Sequence, residues 1–380
     1  MLRSLFSCFV LVVSALAGPA FAGMPIPQPP AVTARAYILI DYQSGRVLAA
    51  DHADDRMEPA SLTKLMSSYV MFKALRDGHL KLDDPVTISE HAWRSEGSRT
   101  FVQVGSQVPA EVLIKGMIVQ SGNDATIALA ERVAGTEPAF AQLMNEYAKR
   151  LGMNSTHFAN SDGLPDPAHY TTARDLALLA RALVREFPEY YRWYSIREFT
   201  WNKIKQQNRN GLLERDPTVD GMKTGHTDSA GFCLVTSASR NGMRLISVVL
   251  GSPSIKARED ASAALLGYGY TFYETVKLKN HGDIVLTPRV YLAADAAVPV
   301  GVTSDIWVTV GRGDAASLHT TTQITQPLRA PLAAGQTVGE LTFTGTNGDV
   351  VARAPLVALK PVPKGGLWTR SVDTVALWFK

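Results

Sequence analysis

The sequence predicts an α/β domain, in the broad sense of an antiparallel sheet covered by helices, followed by a small all-β domain and a short amphipathic helix. Three observations carry this. Strand-like runs stand at both ends of a helical middle before position 281. From about position 283 helical periodicity is absent, and short Val-, Ile-, Thr- and Leu-rich runs alternate with turns. The final residues, GGLWTRSVDTVALWFK, regain a helical pattern.

Segments 36–41 and 46–49 read as strands joined by the turn Gln43-Ser44-Gly45. Apolar residues at helical spacing follow at 62–75, 110–134, 139–151 and 172–187. Segments 232–239 and 243–250 form a second hairpin around Arg240-Asn241-Gly242. Beyond them lie β runs at 283–286, 306–310, 320–325, 337–343 and 350–357. Gly311-Arg312-Gly313-Asp314 and Thr346-Asn347-Gly348-Asp349 serve as turns between them. No chemical constellation falls in this second domain, which reads as a spacer or interaction module.

Met1-Leu2-Arg3 gives a short positive start, residues 5–16 are almost wholly apolar, and Ala20-Phe21-Ala22 supplies the small residues of a cleavage site. The expectation is an exported chain whose mature form starts near Gly23. An uncleaved anchor is the alternative, but the apolar stretch is short for a membrane span. Cys8 belongs to this leader and has no lipid-attachment context, so Cys233 alone remains after cleavage and no internal disulfide forms. Cys233 sits in the apolar run Gly231-Phe232-Cys233-Leu234-Val235 and reads as a packed thiol. A scattered net charge of +3 gives no footing for nucleic acid.

At 100° per residue, Leu367, Trp368, Val372, Val375, Trp378 and Phe379 share a face roughly 140° wide. Pro361-Val362-Pro363 and Gly365-Gly366 precede it like a linker. The tail is too short to span a bilayer, and two tryptophans suit a headgroup interface. A helix lying on the membrane surface through residues 365–380 is the favoured reading; a terminal helix docked on its own protein is the other. The expected divisions are a leader at 1–22, the α/β domain at 23–281, the β domain at 282–363 and the tail at 364–380.

Three motifs carry the chemistry. Pro59-Ala60-Ser61-Leu62-Thr63-Lys64 opens a helix, which puts Ser61 and Lys64 three residues apart on one face. A serine hydroxyl needs an adjacent base to become a nucleophile, and a lysine serves only if burial and positive neighbours depress its pKa. Ser121-Gly122-Asn123 supplies a second hydroxyl and an amide that can orient an amide substrate. Lys223-Thr224-Gly225-His226 precedes an apolar strand. It offers a positive charge, a hydroxyl for a carboxylate, and a glycine that lets a strand edge approach a ligand. His226 reads either as a general base or as a backbone donor; the second is preferred because Lys64 already fills the base role. Singly each motif is weak, since Ser-x-x-Lys occurs by chance about once or twice in such a chain. Their order and context give the set its weight.

Read together, the stretches 54–64, 120–125, 208–213 and 220–227 resemble the low-molecular-mass penicillin-binding proteins. The branch they resemble is the D-alanyl-D-alanine carboxypeptidases similar to penicillin-binding protein 5. The resemblance spans nearly the whole chain and implies a penicillin-binding, β-lactamase-like α/β fold and the following roles. Ser61 forms an acyl-enzyme with the D-Ala–D-Ala carbonyl, and Lys64 is the acylation base. Ser121 and Lys223 relay the proton to the leaving D-alanine, with Asn123 orienting the substrate. The backbone N–H groups of Ser61 and His226 make the oxyanion hole. Thr224 and Arg258 hold the terminal carboxylate and Arg209 supports that basic patch, although a surface ion pair is the plain alternative for Arg258. The implied substrate is the peptidoglycan pentapeptide, β-lactams are covalent inhibitors, and the location is periplasmic.

No cofactor is implied, and no His-Glu-x-x-His helix or clustered ligand set suggests a metal. A serine β-lactamase would need a deacylating glutamate, and Asn160-Ser161-Asp162-Gly163-Leu164-Pro165-Asp166 offers no Glu-x-x-Leu-Asn equivalent. A non-catalytic β-lactam-binding scaffold is the remaining alternative, which three intact motifs argue against.

Overall fold

Strand β1 (Ala36–Asp41) is buried along its whole length. Because successive side chains of a strand point to opposite faces, Ile38 and Ile40 enter one core while Tyr37 and Leu39 enter another. With β2 (Val47–Asp51), β3 (Val219–Thr227), β4 (Gly231–Arg240) and β5 (Met243–Ser252) it forms an antiparallel sheet in the order β2-β1-β5-β4-β3. This computed structural model describes residues 25–379, so the leader expected at 1–22 lies outside the described residues.

One face of the sheet carries α1 (Thr63–Arg76), α2 (Ala110–Val119), α3 (Asn123–Ala134), α4 (Glu137–Arg150) and α5 (Ala173–Glu186), sharing one core. The other carries α6 (Ile255–Phe272), whose Leu265 and Leu266 pack with Leu39, Leu245 and Val249. This is the predicted α/β arrangement. Helix α1 is buried on nearly every side, as befits a central helix, and that enclosure takes Lys64 out of water.

Among the elements that differ from the sequence reading, two have a plain local cause. The periodic stretch 110–134 is two helices, because Ser121 adopts φ +66°, a left-handed value that ends the first. Helix α6 was not expected, since Gly267 and Gly269 weaken its helical signal. At Gly269 a Cβ would stand 2.5 Å from Leu245 Cδ1, so the glycine lets helix and sheet meet closely.

Strand β6 (Tyr273–Lys279) precedes the expected division at 281 yet pairs with a strand beyond it. The second domain holds β7 (Ile284–Leu286), β8 (Val300–Gly301), β9 (Ile306–Gly311), β10 (His319–Ile324), β11 (Thr337–Thr344) and β12 (Val350–Ala358). Strands β6 and β9 pair as one ladder, and the others form a sheet in the order β7-β8-β12-β11-β10. Val300, Leu341, Phe343 and Leu356 fill its core. The domains are joined by side chains as well as chain. Buried Asp41 accepts from Thr275 Oγ1 at 2.8 Å, and Ser44 Oγ meets Thr309 Oγ1 at 2.6 Å.

Helix α7 (Leu367–Leu377) ends the described chain. Asp373, 6% exposed, accepts from Arg289 Nη2 at 3.0 Å and from the Leu292 N–H at 2.6 Å, pinning one face to the β domain. The apolar face stays outside: Trp368 is 82% and Trp378 78% exposed. No described helix is long and apolar enough to cross a membrane.

Candidate active site

The turn before α1 is held from several sides. Ala60 has φ +46°, an unfavourable value for a residue with a Cβ. It leads into a short 3₁₀ turn, Ala60–Leu62, that carries Ser61. The Thr63 hydroxyl donates to Ala60 O at 2.8 Å and contacts His169 Nε2 at 2.7 Å. Burial drives the His169 imidazole down to about 4. It is therefore neutral, and because its Nδ1 accepts from the Ala159 N–H, Nε2 carries the proton and donates to Thr63.

Lys64 Nζ is enclosed and has three partners: Ser61 Oγ at 3.0 Å, Asn123 Oδ1 at 2.7 Å and Asp162 O at 2.6 Å. The last two can only accept. A neutral amine has two N–H bonds and one lone pair, so both hydrogens are taken by Asn123 and Asp162 and the lone pair is left for the Ser61 hydroxyl. The amide of Asn123 is fixed in that orientation because its Nδ2 donates to Glu96 O at 2.6 Å. Burial lowers the Lys64 pKa to about 8; Arg209 pushes the same way, against Asp162, Asp124 and Glu137.

Ser121 is buried, lines the cleft, and its Oγ has no hydrogen-bond partner among the described residues. Its left-handed backbone is supported by close packing: a Cβ on Gly122 would stand 2.0 Å from Thr100 Oγ1. Asp124 accepts from the N–H groups of Thr100, Phe101, Val102 and Ala125, tying the 96–102 loop to α3.

Strand β3 is the sheet edge that approaches this turn. A Cβ on Gly225 would be 3.0 Å from Pro59 O and 3.2 Å from Leu62 N, so a side chain there would press the strand away from Ser61. Lys223 is buried and donates to Thr224 O at 3.0 Å. Burial, reinforced by Lys64, Arg209 and Arg258, holds its amine well below the usual lysine range. His226 is exposed and lies on the Phe232 ring, with 4.0 Å between centroids.

Arg258 does not make the surface ion pair weighed for it. Its neighbours Glu259 and Asp260 pair with Arg215. Arg258 instead turns inward and donates to Gly225 O at 3.2 Å and Cys233 O at 3.4 Å. Arg209 stands exposed, its side chain without a hydrogen bond or ion pair among the described residues. Ser61, Ser121, Arg209, Thr224, Gly225, His226 and Arg258 line one cleft of about 590 Å³. Lys64, Asn123 and Lys223 are buried and do not line it.

Gly97, Ser98 and Phe232 also line the cleft, and Asp124, Asp162 and His169 brace it. Only Asp124 had a sequence signal, its place directly after Asn123. Phe232 lies on β4 and the others come from loops, and their approach to the cleft is tertiary.

Known proteins resemble this chain in sequence and fold. Residues 24–254 match the family model described as D-alanyl-D-alanine carboxypeptidase, and residues 273–364 that of the penicillin-binding protein 5 C-terminal domain. The chain is 44% identical over 368 residues to the D-alanyl-D-alanine carboxypeptidase DacC of Escherichia coli (strain K12), covering 95% of this chain and 92% of that one. The crystal structure of penicillin-binding protein 5 from Haemophilus influenzae superposes with a TM-score of 0.86 at 42% identity, covering 89% of this chain and all of that one. Penicillin-binding protein D2 from Listeria monocytogenes, in its ampicillin-bound form, gives 0.59 at 30% identity over 63% of this chain and 98% of its own.

Proposed function

The chain belongs to the D-alanyl-D-alanine carboxypeptidase family, and from that premise we propose how its residues remove the terminal D-alanine of a peptidoglycan stem pentapeptide. The family match favours this activity over a β-lactamase or a non-catalytic scaffold. Ser61 Oγ adds to the penultimate D-Ala carbonyl while its proton passes to the neutral amine of Lys64. The oxyanion is held by the backbone N–H groups of Ser61 and His226. Collapse breaks the peptide bond, and the departing amine takes the proton through Ser121, beside Lys223. Water then attacks the Ser61 ester, releasing the shortened stem and restoring the hydroxyl.

The observation that carries this reading is the partner set of Lys64, two acceptors and one serine hydroxyl, which leaves the amine lone pair on Ser61. Arg209, Arg258 and Thr224 present positive charge and a hydroxyl to the substrate carboxylate, whereas Asn123, its amide already bonded to Lys64 and Glu96, holds the base and not the substrate amide expected of it. A β-lactam offers an amide and a carboxylate to the same groups, and the enzyme binds such compounds. Mapping the adduct after benzylpenicillin tests the assignment: the mass increment is expected on the peptide holding Ser61, and an adduct on any other residue contradicts it.

The enzyme acts in the cell envelope, where its substrate lies. We further propose that the leader directs export to the periplasm and that α7 rests on the outer face of the cytoplasmic membrane. Support comes from the exposure of Leu367, Trp368, Val372, Val375, Trp378 and Phe379 while Asp373 holds the opposite side to the β domain. The divisions 23–281, 282–363 and 364–380 are kept, with β6 as the strand shared across the first of them.

A further inference from the structure

A second cavity, of about 260 Å³, shares no lining residue with the substrate cleft. Asp162 belongs to both sides of the wall between them: its backbone O accepts from Lys64 Nζ, and the residue is one of those lining this second cavity. The carboxylate is 2% exposed. Oδ1 accepts from the Leu164 N–H at 3.0 Å, whereas Oδ2 is buried with no hydrogen-bond partner among the described residues. Ser95 Oγ, on another lining residue, is in the same condition. A buried oxygen without a partner is costly. Its rim carries His91, Arg94 and Glu96, all exposed.

We propose that the Asp162 carboxylate, acting across this wall, sets the protonation of Lys64 and with it the pH range in which the enzyme acylates. The proposal rests on the reading of Lys64 as base. Other charges face the amine from every side: Asp124 from α3, Glu137 from α4, Lys223 from β3, and Arg209 from the loop after α5, with neutral His169 nearby. Among them Asp162 acts most strongly. Both oxygens of Asp124 are taken by four backbone N–H groups, and Glu137 Oε1 is taken by Ser161 N and Oγ. His91 Nε2 lies 3.6 Å from Glu137 Oε2. Of these carboxylates only Asp162 has a buried oxygen with no hydrogen-bond partner among the described residues. Burial raises its own pKa and Lys64 lowers it, so amine and carboxyl compete for one proton.

Asp162→Asn keeps the backbone carbonyl that Lys64 uses and removes only the charge. The second-order rate constant for acylation by benzylpenicillin is measured from pH 5 to 10, with sites counted by bound penicillin. The acid limb should move to lower pH by about one unit, raising the rate at pH 6 roughly tenfold relative to wild type. An unmoved limb overturns the proposal. If the asparagine variant gives no countable sites, Asp162→Ala carries the same prediction. Lys64→Met separates the two readings: acylation that persists with an unchanged limb removes Lys64 as base. Acylation lost there while the Asp162→Asn limb stands still removes only this proposal.

Discussion

Asn123 Oδ1 accepts a hydrogen bond of 2.7 Å from Lys64 Nζ across 59 positions of chain. That bond joins the first two motifs into one device. It takes one of the two hydrogens of the neutral amine, Asp162 O takes the other, and the lone pair has nowhere to point but Ser61. Burial makes the neutral form accessible, since at a pKa of about 8 roughly a tenth of the amine is free at pH 7. At an ordinary lysine pKa the fraction would be on the order of a few parts in ten thousand.

Acylation should therefore follow deprotonation of Lys64. The base works only when neutral, so the rate rises with pH through a midpoint near 8 and falls about tenfold per unit below it. Lys64→Arg puts a group that stays protonated in the same place and should lose at least about 10³-fold in acylation. Stopped-flow penicillin binding across pH checks both; a flat profile between pH 6 and 9 contradicts the assignment.

Gly225→Ala tests the approach of β3 to the nucleophile turn. The new methyl would meet Pro59 O at 3.0 Å and Leu62 N at 3.2 Å, both backbone atoms that cannot turn aside. The expected result is about 1–3 kcal/mol of lost stability and at least tenfold slower acylation, because small displacements of positioned groups are costly in rate. Thermal melts beside acylation rates separate the two effects. Wild-type rates would show that the strand does not set the site.

Arg209→Ala should weaken binding of substrates that end in a free carboxylate. Its side chain has no ion pair among the described residues, so its removal leaves no buried partner stranded. A lost charge-assisted contact corresponds to roughly a 10–100-fold rise in KM. The KM of a peptide with an amidated end should be insensitive to the change, although the loss of a charge that depresses Lys64 slows both peptides. Equal rises in KM for both peptides would place Arg209 outside carboxylate recognition.

The double variant Trp368→Ser, Trp378→Ser tests the tail. Both rings are exposed and far in sequence from the cleft residues. Sedimentation with phospholipid vesicles should drop more than about tenfold, while hydrolysis of a soluble peptide stays at the wild-type rate. Undiminished vesicle binding would contradict membrane contact through this face.

Much of this molecule is legible in the chain because its signals are local. Strand 36–41 alternates between two cores, segment 62–75 carries apolar residues at helical spacing, and the tail segregates Asp373 from its tryptophans. The motif residues could be named, but not how they meet. Nothing in the sequence turns Arg258 inward, since its partners are carbonyls of Gly225 and Cys233 more than twenty positions away. Helix α6 was illegible because Gly267 and Gly269 weaken its helical pattern, and of the two Gly269 is the one that lets it pack closely. In the sequence Asp162 stands in a run distinguished only by its lack of a deacylating glutamate. Its burial and its contact with Lys64 arise from a loop closing over α1.

D-alanine release from diacetyl-Lys-D-Ala-D-Ala, compared between wild type and Ser61→Ala, tests the central claim most directly. Steady release by the wild type and a loss of at least about 10³-fold in the folded variant are predicted. Release that survives the loss of the Ser61 hydroxyl would contradict it.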